Sequence, residues 1–310
     1  MHKARSVQAP DAVVMIRPHH FHPNPETAAD NSFQRADATH TAQAIAAQAR
    51  DEVSAAAVAL QDAGVTVHVF DDFNENETPD SVFPNNWFST HAGGHVALYP
   101  MYSPNRRRER RTDVIDMLKS QYRVQDVIDY SGLEYDAIFL EGTGAMVLDH
   151  IERVAYTARS NRANAVALER FCTHFNYEPM AFGSSDSSGR PVYHTNVIMC
   201  IASEFALVAL EMIPDALRRD EIAHRLRQSG REVIALSEGQ IGEFAGNALE
   251  LSTANGRILA MSSRAAASLL PEQIGLIEAS AKILPLAVPT IELAGGSVRC
   301  MLAGIHLARR

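Results

Sequence analysis

Cysteine is scarce in this sequence. Its 310 residues include only Cys172, Cys200 and Cys300, an odd number at long spacings. That pattern excludes a small disulfide-bonded scaffold and is typical of a reducing compartment. The chain also lacks an apolar run of the roughly 18–20 residues that a membrane-spanning helix needs, and its N-terminus has no apolar signal-peptide stretch. We therefore expect a cytoplasmic protein with no membrane partner.

Positive charge is also in deficit. The chain has 28 Lys and Arg against 37 Asp and Glu, which gives a formal net charge of −9. Nucleic acids and anionic membranes attract basic surfaces, so this balance argues against nucleic-acid binding. Hydrophobic residues make up 46% and charged residues 21%, a composition typical of globular proteins.

Short β-rich runs recur along the whole chain, with helical stretches between some of them. Strands are predicted at residues 13–16, 65–70, 96–99, 137–140, 145–148, 153–157, 192–201, 205–210, 232–236, 248–251 and 257–260. Helices are predicted at residues 41–62, 161–174, 214–228 and 271–283. Strand pairs as close as 145–148 and 153–157 predict hairpins and therefore antiparallel pairing. No linker divides the chain, which favours one mixed α/β domain over residues 1–310.

Three residues have the chemical types needed for nucleophilic catalysis. Cys300 follows a Gly-Gly pair, and its neighbour Arg299 is a cation that would favour a thiolate; the alternative is a buried structural cysteine. His194 follows a polar loop and enters a predicted strand, where it could face a cleft or simply hydrogen-bond the strand end. Glu141 ends the predicted strand 137–140 and precedes Gly-Thr-Gly, a position from which a carboxylate could orient a histidine.

The most unusual stretch is Pro-Asp-Ser-Val-Phe-Pro-Asn-Asn-Trp-Phe at residues 79–88. It places Asp80 near two adjacent amides, Asn85 and Asn86, and beside the chain's only tryptophan. The simpler interpretation of this stretch is turn chemistry, because asparagine favours turns and caps.

Two other polar clusters give weaker cases. His19, His20 and His22 lie between prolines with no further ligand types nearby, which argues against a metal site. The run Arg-Arg-Arg-Glu-Arg-Arg at residues 106–111 could touch phosphate, but we interpret it as a solvated basic face at the start of a helix.

Five segments together resemble the guanidine-modifying superfamily, which includes arginine deiminases, dimethylarginine dimethylaminohydrolases and amidinotransferases. Residues 79–86 are similar to the substrate loop of the dimethylarginine enzymes, and Leu-Glu-Gly at 140–142 to an acidic-Gly-Gly turn. Thr-Ala-Arg-Ser-Asn at 157–161 resembles a Ser-x-Arg-Thr-Asn element. His194 in Tyr-His-Thr-Asn and Cys300 in Arg-Cys-Met stand where the catalytic histidine and the nucleophile belong.

The resemblance implies a fold and a set of roles. The fold is a single-domain five-fold α/β propeller (pentein-type) of ββαβ-like units with mixed sheets. Cys300 would be the nucleophile, His194 the general acid and base, and Glu141 the carboxylate that orients His194. Arg159 would bind the substrate α-carboxylate as a bidentate fork, and Asp80 would bind the α-amino group. No metal or organic cofactor is implied.

Three amides depart from the pattern of the relatives. Dimethylarginine enzymes have acidic residues where this chain has Asn85 and Asn86, and arginine deiminases have one where it has Asn196. A buried guanidinium cation needs carboxylates, whereas a neutral ureido group is matched by amides, which both donate and accept hydrogen bonds. The sequence therefore favours citrulline and resembles the citrulline-utilisation hydrolases.

The resulting hypothesis is a citrulline ureidase that releases ornithine, ammonia and carbon dioxide through a covalent intermediate on Cys300. Alternatives are a deiminase that acts on arginine or dimethylarginine, an amidinotransferase, and a non-catalytic protein that binds amino acids. The substrate would be a small ureido or guanidino amino acid in each case. A homo-oligomer is compatible with the sequence.

Overall fold

The computed structural model describes residues 7–35 and 39–310. In this part of the chain the strands are β1 (Ala12–Pro18), β2 (Thr66–Asp72), β3 (Phe88–His91), β4 (His95–Leu98), β5 (Asp126–Asp129), β6 (Met146–Asp149), β7 (Val154–Ala158), β8 (Glu178–Phe182), β9 (Met199–Ile201), β10 (Phe205–Val208), β11 (Glu232–Ala235), β12 (Leu249–Thr253), β13 (Gly256–Ser262), β14 (Lys282–Leu286) and β15 (Ala303–Gly304).

The α-helices of the same residues differ widely in length. They are α1 (Ala42–Asp62), α2 (Thr112–Gln121), α3 (Gly142–Ala145), α4 (Ala165–Phe175), α5 (Ala216–Gln228), α6 (Glu238–Gly242), α7 (Ser263–Ser268), α8 (Pro271–Glu278) and α9 (Val298–Met301). Single 3₁₀ turns lie at Pro84–Asn86, Pro104–Glu109, Ser131–Asp136, Thr195–Val197, Leu210–Met212 and Ile291–Ala294. No helix in the described part of the chain is long and apolar enough to cross a membrane.

The strands form five separate three-stranded sheets, which we number I to V along the chain: β15-β1-β2, β3-β4-β5, β6-β7-β8, β9-β10-β11 and β12-β13-β14. In each sheet the central strand pairs antiparallel with one neighbour and parallel with the other. In sheet III, for example, Met146 lies opposite Thr157 in the hairpin, and Val154 lies beside Glu178 in the parallel pair. A helix supplies the crossover that a parallel pair requires.

Sheet I closes the arrangement, because its first strand comes from the other end of the chain. The C-terminal strand β15 pairs antiparallel with β1, and Val13 lies opposite Gly304. Four hydrophobic clusters then join neighbouring sheets, I to II, II to III, III to IV and V, and V back to I. The predicted fold, five ββαβ-like units with mixed sheets in a pentein arrangement, is confirmed. That residues 1–310 form one domain stays a prediction.

Two predicted strands are wrong at points that matter for the site. Residues 137–140 form no strand, because Ala137 ends a 3₁₀ turn with φ of 53° and Leu140 makes only an isolated bridge to Ala163. Residues 192–198 also lie outside the sheets, so that only Met199–Ile201 of the predicted run is a strand. Glu141 and His194 therefore lie in loops before short helical turns.

Candidate active site

The thiol of Cys300 lies in a one-turn helix, α9, between the Gly-Gly turn and β15. Cys300 is 2% exposed. Its sulfur accepts hydrogen bonds from the side-chain amides of Asn196 at 3.2 Å and Asn247 at 3.3 Å, the two donors found among residues 7–35 and 39–310. Arg299 is not a donor to this sulfur: its guanidinium donates to the Leu302 carbonyl and faces a different cavity.

A buried imidazole and a buried carboxylate form a hydrogen-bonded pair near this thiol. Nε2 of His194 lies 2.8 Å from Oε2 of Glu141, and the two residues are 2% and 0% exposed. The other carboxylate oxygen of Glu141 accepts the backbone N–H of Tyr102 at 3.0 Å. This contact engages one ring nitrogen and leaves Nδ1 without a hydrogen-bond partner in the carboxylate, as a general acid or base requires.

Two buried arginines set the charge of this pair. Arg162 and Arg106 lie 3.5 Å and 3.6 Å from Oε2 of Glu141. Burial opposes ionisation of Glu141, but Arg162, the hydrogen bond with His194 and Arg106 together outweigh it and lower the pKa of Glu141. Burial also lowers the pKa of His194 to about 4, helped by both arginines and opposed by Glu141. At neutral pH the site therefore contains a neutral imidazole beside a carboxylate anion.

Two glycines let α3 pack closely against the Pro84–Asn86 turn, and one of them also adjoins the imidazole. Gly142 has φ of +45°, and a Cβ there would lie 2.5 Å from the backbone oxygen of Asn85. A Cβ on Gly144 would lie 2.1 Å from a side-chain amide atom of Asn86 and 2.8 Å from Nδ1 of His194. Only glycine fits these positions without displacing the site. The Gly-Thr-Gly run thus packs α3 against the turn Pro84–Asn86.

That turn presents the amides predicted from the sequence. Asn85 and Asn86 are 0% and 2% exposed. With the amide of Asn86 oriented so that its oxygen faces Arg106, that oxygen accepts from the two terminal guanidinium nitrogens at 3.1 and 3.0 Å, and its nitrogen donates to Asn85 Oδ1 at 3.1 Å. Nδ2 of Asn85 and Oδ1 of Asn196 are buried and have no hydrogen-bond partner in the described part of the chain.

Asp80 carries another unsatisfied atom. Its Oδ2 accepts from Asn24 at 2.8 Å and lies 3.6 Å from Arg106, while Oδ1 is buried with no partner among the described residues. Burial raises the pKa of Asp80, although Arg106 opposes the shift. Asp80, Asn86, His194 and Cys300 line one small, partly open cavity of about 10 Å³. The unpaired atoms around it are potential contacts for a polar ligand.

The structure places Arg159 outside this cavity and Arg162 on its wall. Arg159 is exposed and lines an outer pocket, whereas Arg162 is 1% exposed and lines the cavity itself. The Ser/Thr-x-Arg-x-Asn spacing occurs twice here, at residues 157–161 and at residues 160–164. Because the two matches overlap, the sequence could not distinguish the registers.

Arg106 overturns our interpretation of residues 106–111 as a solvated face. It is 2% exposed and forms a bidentate pair with Glu109 at 2.8 and 3.0 Å. Burial raises the pKa of Glu109 to about 7 against the opposing effect of Arg106. A 3₁₀ turn at Pro104–Glu109, rather than an α-helix, points Arg106 inward.

A segment near the N-terminus covers the cavity. Asp30 makes two hydrogen bonds to Arg162, and Asn31 donates to the Ala294 carbonyl at 3.0 Å. The Tyr193 ring packs against the Arg162 guanidinium, 4.8 Å from its central carbon, and the Tyr193 hydroxyl donates to Gly295 at 2.6 Å. Sequence reasoning missed this cover, as it missed Arg106, Arg162 and Asn247.

The fold defines the class of protein. Five three-stranded mixed sheets in this order are the architecture of the pentein superfamily of guanidine-modifying enzymes. A sequence model of the family described as N,N dimethylarginine dimethylhydrolase, eukaryotic, matches residues 17–307. The chain belongs to this family, and the superfamily predicted from its motifs is confirmed. No curated protein sequence matches the chain significantly.

Three solved structures illustrate the similarity of fold. The N-terminal domain of ArgZ, an arginine dihydrolase from cyanobacteria, is 16% identical with a TM-score of 0.71, and the match covers 95% of this chain and 97% of that one. DDAH from Pseudomonas aeruginosa, complexed with citrulline, is 14% identical with a TM-score of 0.62 and coverages of 97% and 100%. Unliganded AgrE is 16% identical with a TM-score of 0.72, and the match covers 95% of this chain but 39% of AgrE.

Proposed function

We propose that this protein is a cysteine-dependent hydrolase of a neutral ureido amino acid, with citrulline as substrate and ornithine, ammonia and carbon dioxide as products. The observation that carries the proposal is the set of amides around the nucleophile. Asn196 and Asn247 contact the sulfur of Cys300, and Asn86 lines the cavity beside it. Amides present both donors and acceptors to a ureido group.

The charge balance of the cavity supports a neutral side chain. Its lining contains two arginines, Arg106 and Arg162, and one carboxylate, Asp80. Glu141, behind them, is already engaged by His194 and both arginines. If Asp80 binds the α-amino group, no free carboxylate remains for a guanidinium, and an unpaired buried cation costs several kcal/mol.

The α-carboxylate of the substrate would bind Arg162. At present Asp30 forms the bidentate pair with this guanidinium, and the Asp30 side chain is 21% exposed. A substrate carboxylate could replace it with the same fork geometry. Tyr193 stacks on the same guanidinium and holds its plane. In this proposal Arg162 takes the role that the sequence suggested for Arg159.

The reaction would proceed in two steps, formation of a covalent intermediate on Cys300 and its hydrolysis. The sulfur of Cys300 attacks the ureido carbon while the thiol proton passes to Nδ1 of His194, and Asn86 or Asn196 donates to the oxygen as its charge develops. The C–N bond then breaks, and His194 returns its proton to the leaving nitrogen. A water that gives its proton to His194 cleaves the thioester. The carbamate released decomposes to carbon dioxide and an amine, so one water is consumed overall.

An arginine substrate is the second candidate. The fold relative ArgZ is an arginine dihydrolase, and the free Oδ1 of Asp80 could accept a guanidinium instead of an α-amino group. Dimethylarginine is a further possibility, since the family is named for it. An amidinotransferase would use the same Cys300 but transfer the carbon to an amine.

The test is end-point analysis of amino acids and ammonia after separate incubations with citrulline, arginine and dimethylarginine. Ornithine with one ammonia per citrulline consumed, and no turnover of the guanidino compounds, would support the proposal. Citrulline formed from arginine or dimethylarginine, or ornithine with two ammonia from arginine, would replace it by the second candidate. The Cys300→Ser variant is the control and should be inactive, because a serine hydroxyl is a poor nucleophile without deprotonation.

The compartment and the assembly stay open to experiment. The described residues contain three unpaired cysteines, all buried, which agrees with a reducing, cytoplasmic location. Gel filtration with light scattering would establish whether the protein is a monomer or a homo-oligomer.

A further inference from the structure

We propose that Asn247 is a positioning residue that holds the nucleophile and stabilises its thiolate. Nothing in the motifs or the family resemblance pointed to this residue. The inference rests on the proposed role of Cys300 as nucleophile, but not on the identity of the substrate. It concerns one side chain that is 0% exposed and lies just before β12.

Asn247 contacts the nucleophile turn at three points. Its backbone oxygen accepts the N–H of Arg299 at 3.3 Å, and its Oδ1 accepts the N–H of Cys300 at 3.4 Å. Its Nδ2 donates to the sulfur of Cys300 at 3.3 Å. Because a backbone N–H can only donate, the contact to Oδ1 fixes which end of the amide faces the sulfur. The side-chain amide of Asn247 is therefore oriented with its N–H group toward the sulfur.

The second hydrogen on Nδ2 has a partner as well. It donates to the backbone oxygen of Asn196 at 3.1 Å. Asn196 in turn donates its own Nδ2 to the sulfur at 3.2 Å, but its Oδ1 is unsatisfied. The two amides thus differ: Asn247 is fully engaged and fixed, whereas the Oδ1 of Asn196 is buried without a partner among the described residues. This difference assigns the positioning role to Asn247.

The backbone next to Asn247 lies very close to the turn that carries Asn196. A Cβ on the preceding residue, Gly246, would lie 2.4 Å from the Val197 carbonyl oxygen. Glycine at 246 therefore allows the strand entry to pack directly on the turn that carries Asn196. The Asn247 amide therefore contacts both the turn that carries Cys300 (Val298–Met301) and the turn that carries Asn196 (Thr195–Val197).

The chemical consequence follows from hydrogen-bond polarity. Donors aimed at sulfur stabilise the anion more than the neutral thiol, because charge-assisted hydrogen bonds are about twice as strong as neutral ones. The sulfur has no arginine or lysine donor among residues 7–35 and 39–310. The amide pair therefore supplies the hydrogen bonds to a thiolate in this buried site, and Arg299 acts on it only through its charge.

The experiment measures the rate of Cys300 alkylation by iodoacetamide against pH, with mass spectrometry to separate Cys300 from Cys172 and Cys200. Asn247→Asp should raise the alkylation midpoint by about 1–3 pH units, because a like charge beside the sulfur disfavours the thiolate. It should lower kcat and leave KM close to wild type. Asn247→Ser, which keeps a smaller donor, should show a smaller rise. Asn255→Asp, on the exposed β12–β13 turn, is the matched control and should show no change.

A midpoint in folded Asn247→Asp equal to that of the wild type would overturn the proposal. So would a change of KM with unaltered kcat. If the variants do not fold, the proposal can still be tested on the wild-type protein. The side-chain amide NMR resonance of Asn247 can be followed there against pH. The chemical shift of this resonance should change with pH around the alkylation midpoint, and this change should be absent in Cys300→Ser. A chemical shift that does not change around the midpoint would also refute the proposal. Alkylation needs no substrate, so an unexpected substrate would leave this result intact.

Discussion

The contact of Gly144 with the imidazole predicts a large effect from one methyl group. Gly144→Ala would place a Cβ 2.1 Å from a side-chain amide atom of Asn86 and 2.8 Å from Nδ1 of His194. Comfortable contact between heavy atoms begins near ~3.5 Å, so the Asn86 amide must move by more than about 1 Å. Asn86 cannot move freely, because it is 2% exposed and lies between Arg106 and Asn85.

The expected magnitude follows from this displacement. Overpacking of this kind costs about 1–3 kcal/mol of stability, which a folded domain tolerates. A misplacement of about 1 Å in a catalytic group costs roughly 100-fold in rate. Gly144→Ala should therefore fold, with a lower melting temperature, and lose about 100-fold in kcat/KM on the substrate that the end-point assay identifies.

Gly275→Ala is the matched control. Gly275 lies in α8, and the position that an alanine methyl would occupy there has no atom within 4 Å, so the substitution should stabilise the helix by about 0.5–1 kcal/mol. Circular dichroism, thermal unfolding and steady-state kinetics on both variants separate the two effects. Wild-type kcat/KM in a folded Gly144→Ala protein would refute the packing of His194 and Asn86 described above.

Three further predictions test the charges of the site and of the core. Arg162→Lys should raise KM at least about tenfold through loss of the bidentate fork, whereas Arg159→Lys should leave KM unchanged; the opposite result in substrate-saturation kinetics would restore Arg159 as the anchor. Glu141→Gln should lower kcat by about 10²–10⁴-fold, because His194 loses its orienting carboxylate, and should destabilise the protein by about 3 kcal/mol, because two buried arginines lose a partner; rapid turnover by a folded variant would contradict this role. Burial and nearby cationic groups keep the pKa of His150 well below its ordinary value of 6.5, so only the unfolded chain takes up this proton and stability should fall as the pH drops below 6.5, by up to about 1.4 kcal/mol per pH unit. Chemical denaturation at several pH values should show a smaller slope in His150→Gln, and an unchanged slope would exclude His150 as a source.

Secondary structure followed the sequence where local signals were strong. The predicted helix 41–62 matches α1, since Thr41 caps it by accepting the N–H of Ala44 and Gly64 follows it with φ of +98°. The outer strands β3, β5, β8, β14 and β15 were missed. Of these, β5, β8 and β14 are partly exposed and carry no run of buried apolar residues, so their pairing depends on the central strand rather than on their own pattern. β3 is buried but only four residues long.

The failure at residues 137–140 has a similar cause. Phe139 and Leu140 are buried by tertiary contacts, but the segment has no neighbouring strand to pair with beyond the single bridge of Leu140 to Ala163. An apolar run alone cannot distinguish a buried loop from a strand. Since Glu141 follows this run, its position beside His194 depends on the packing of α3 and not on a strand end.

The sequence by itself determined the superfamily and supplied the nucleophile, imidazole, carboxylate and amide candidates, because these depend on residue types in a fixed order along the chain. The tertiary structure decided which charged groups surround them. Arg162 meets Asp30 across 132 residues, and Asn247 meets Cys300 across 53. Whether an arginine is solvated or buried against a carboxylate depends on its distant partners, since burial without them would cost several kcal/mol. These contacts join segments that are far apart in the chain, and no local pattern encodes them.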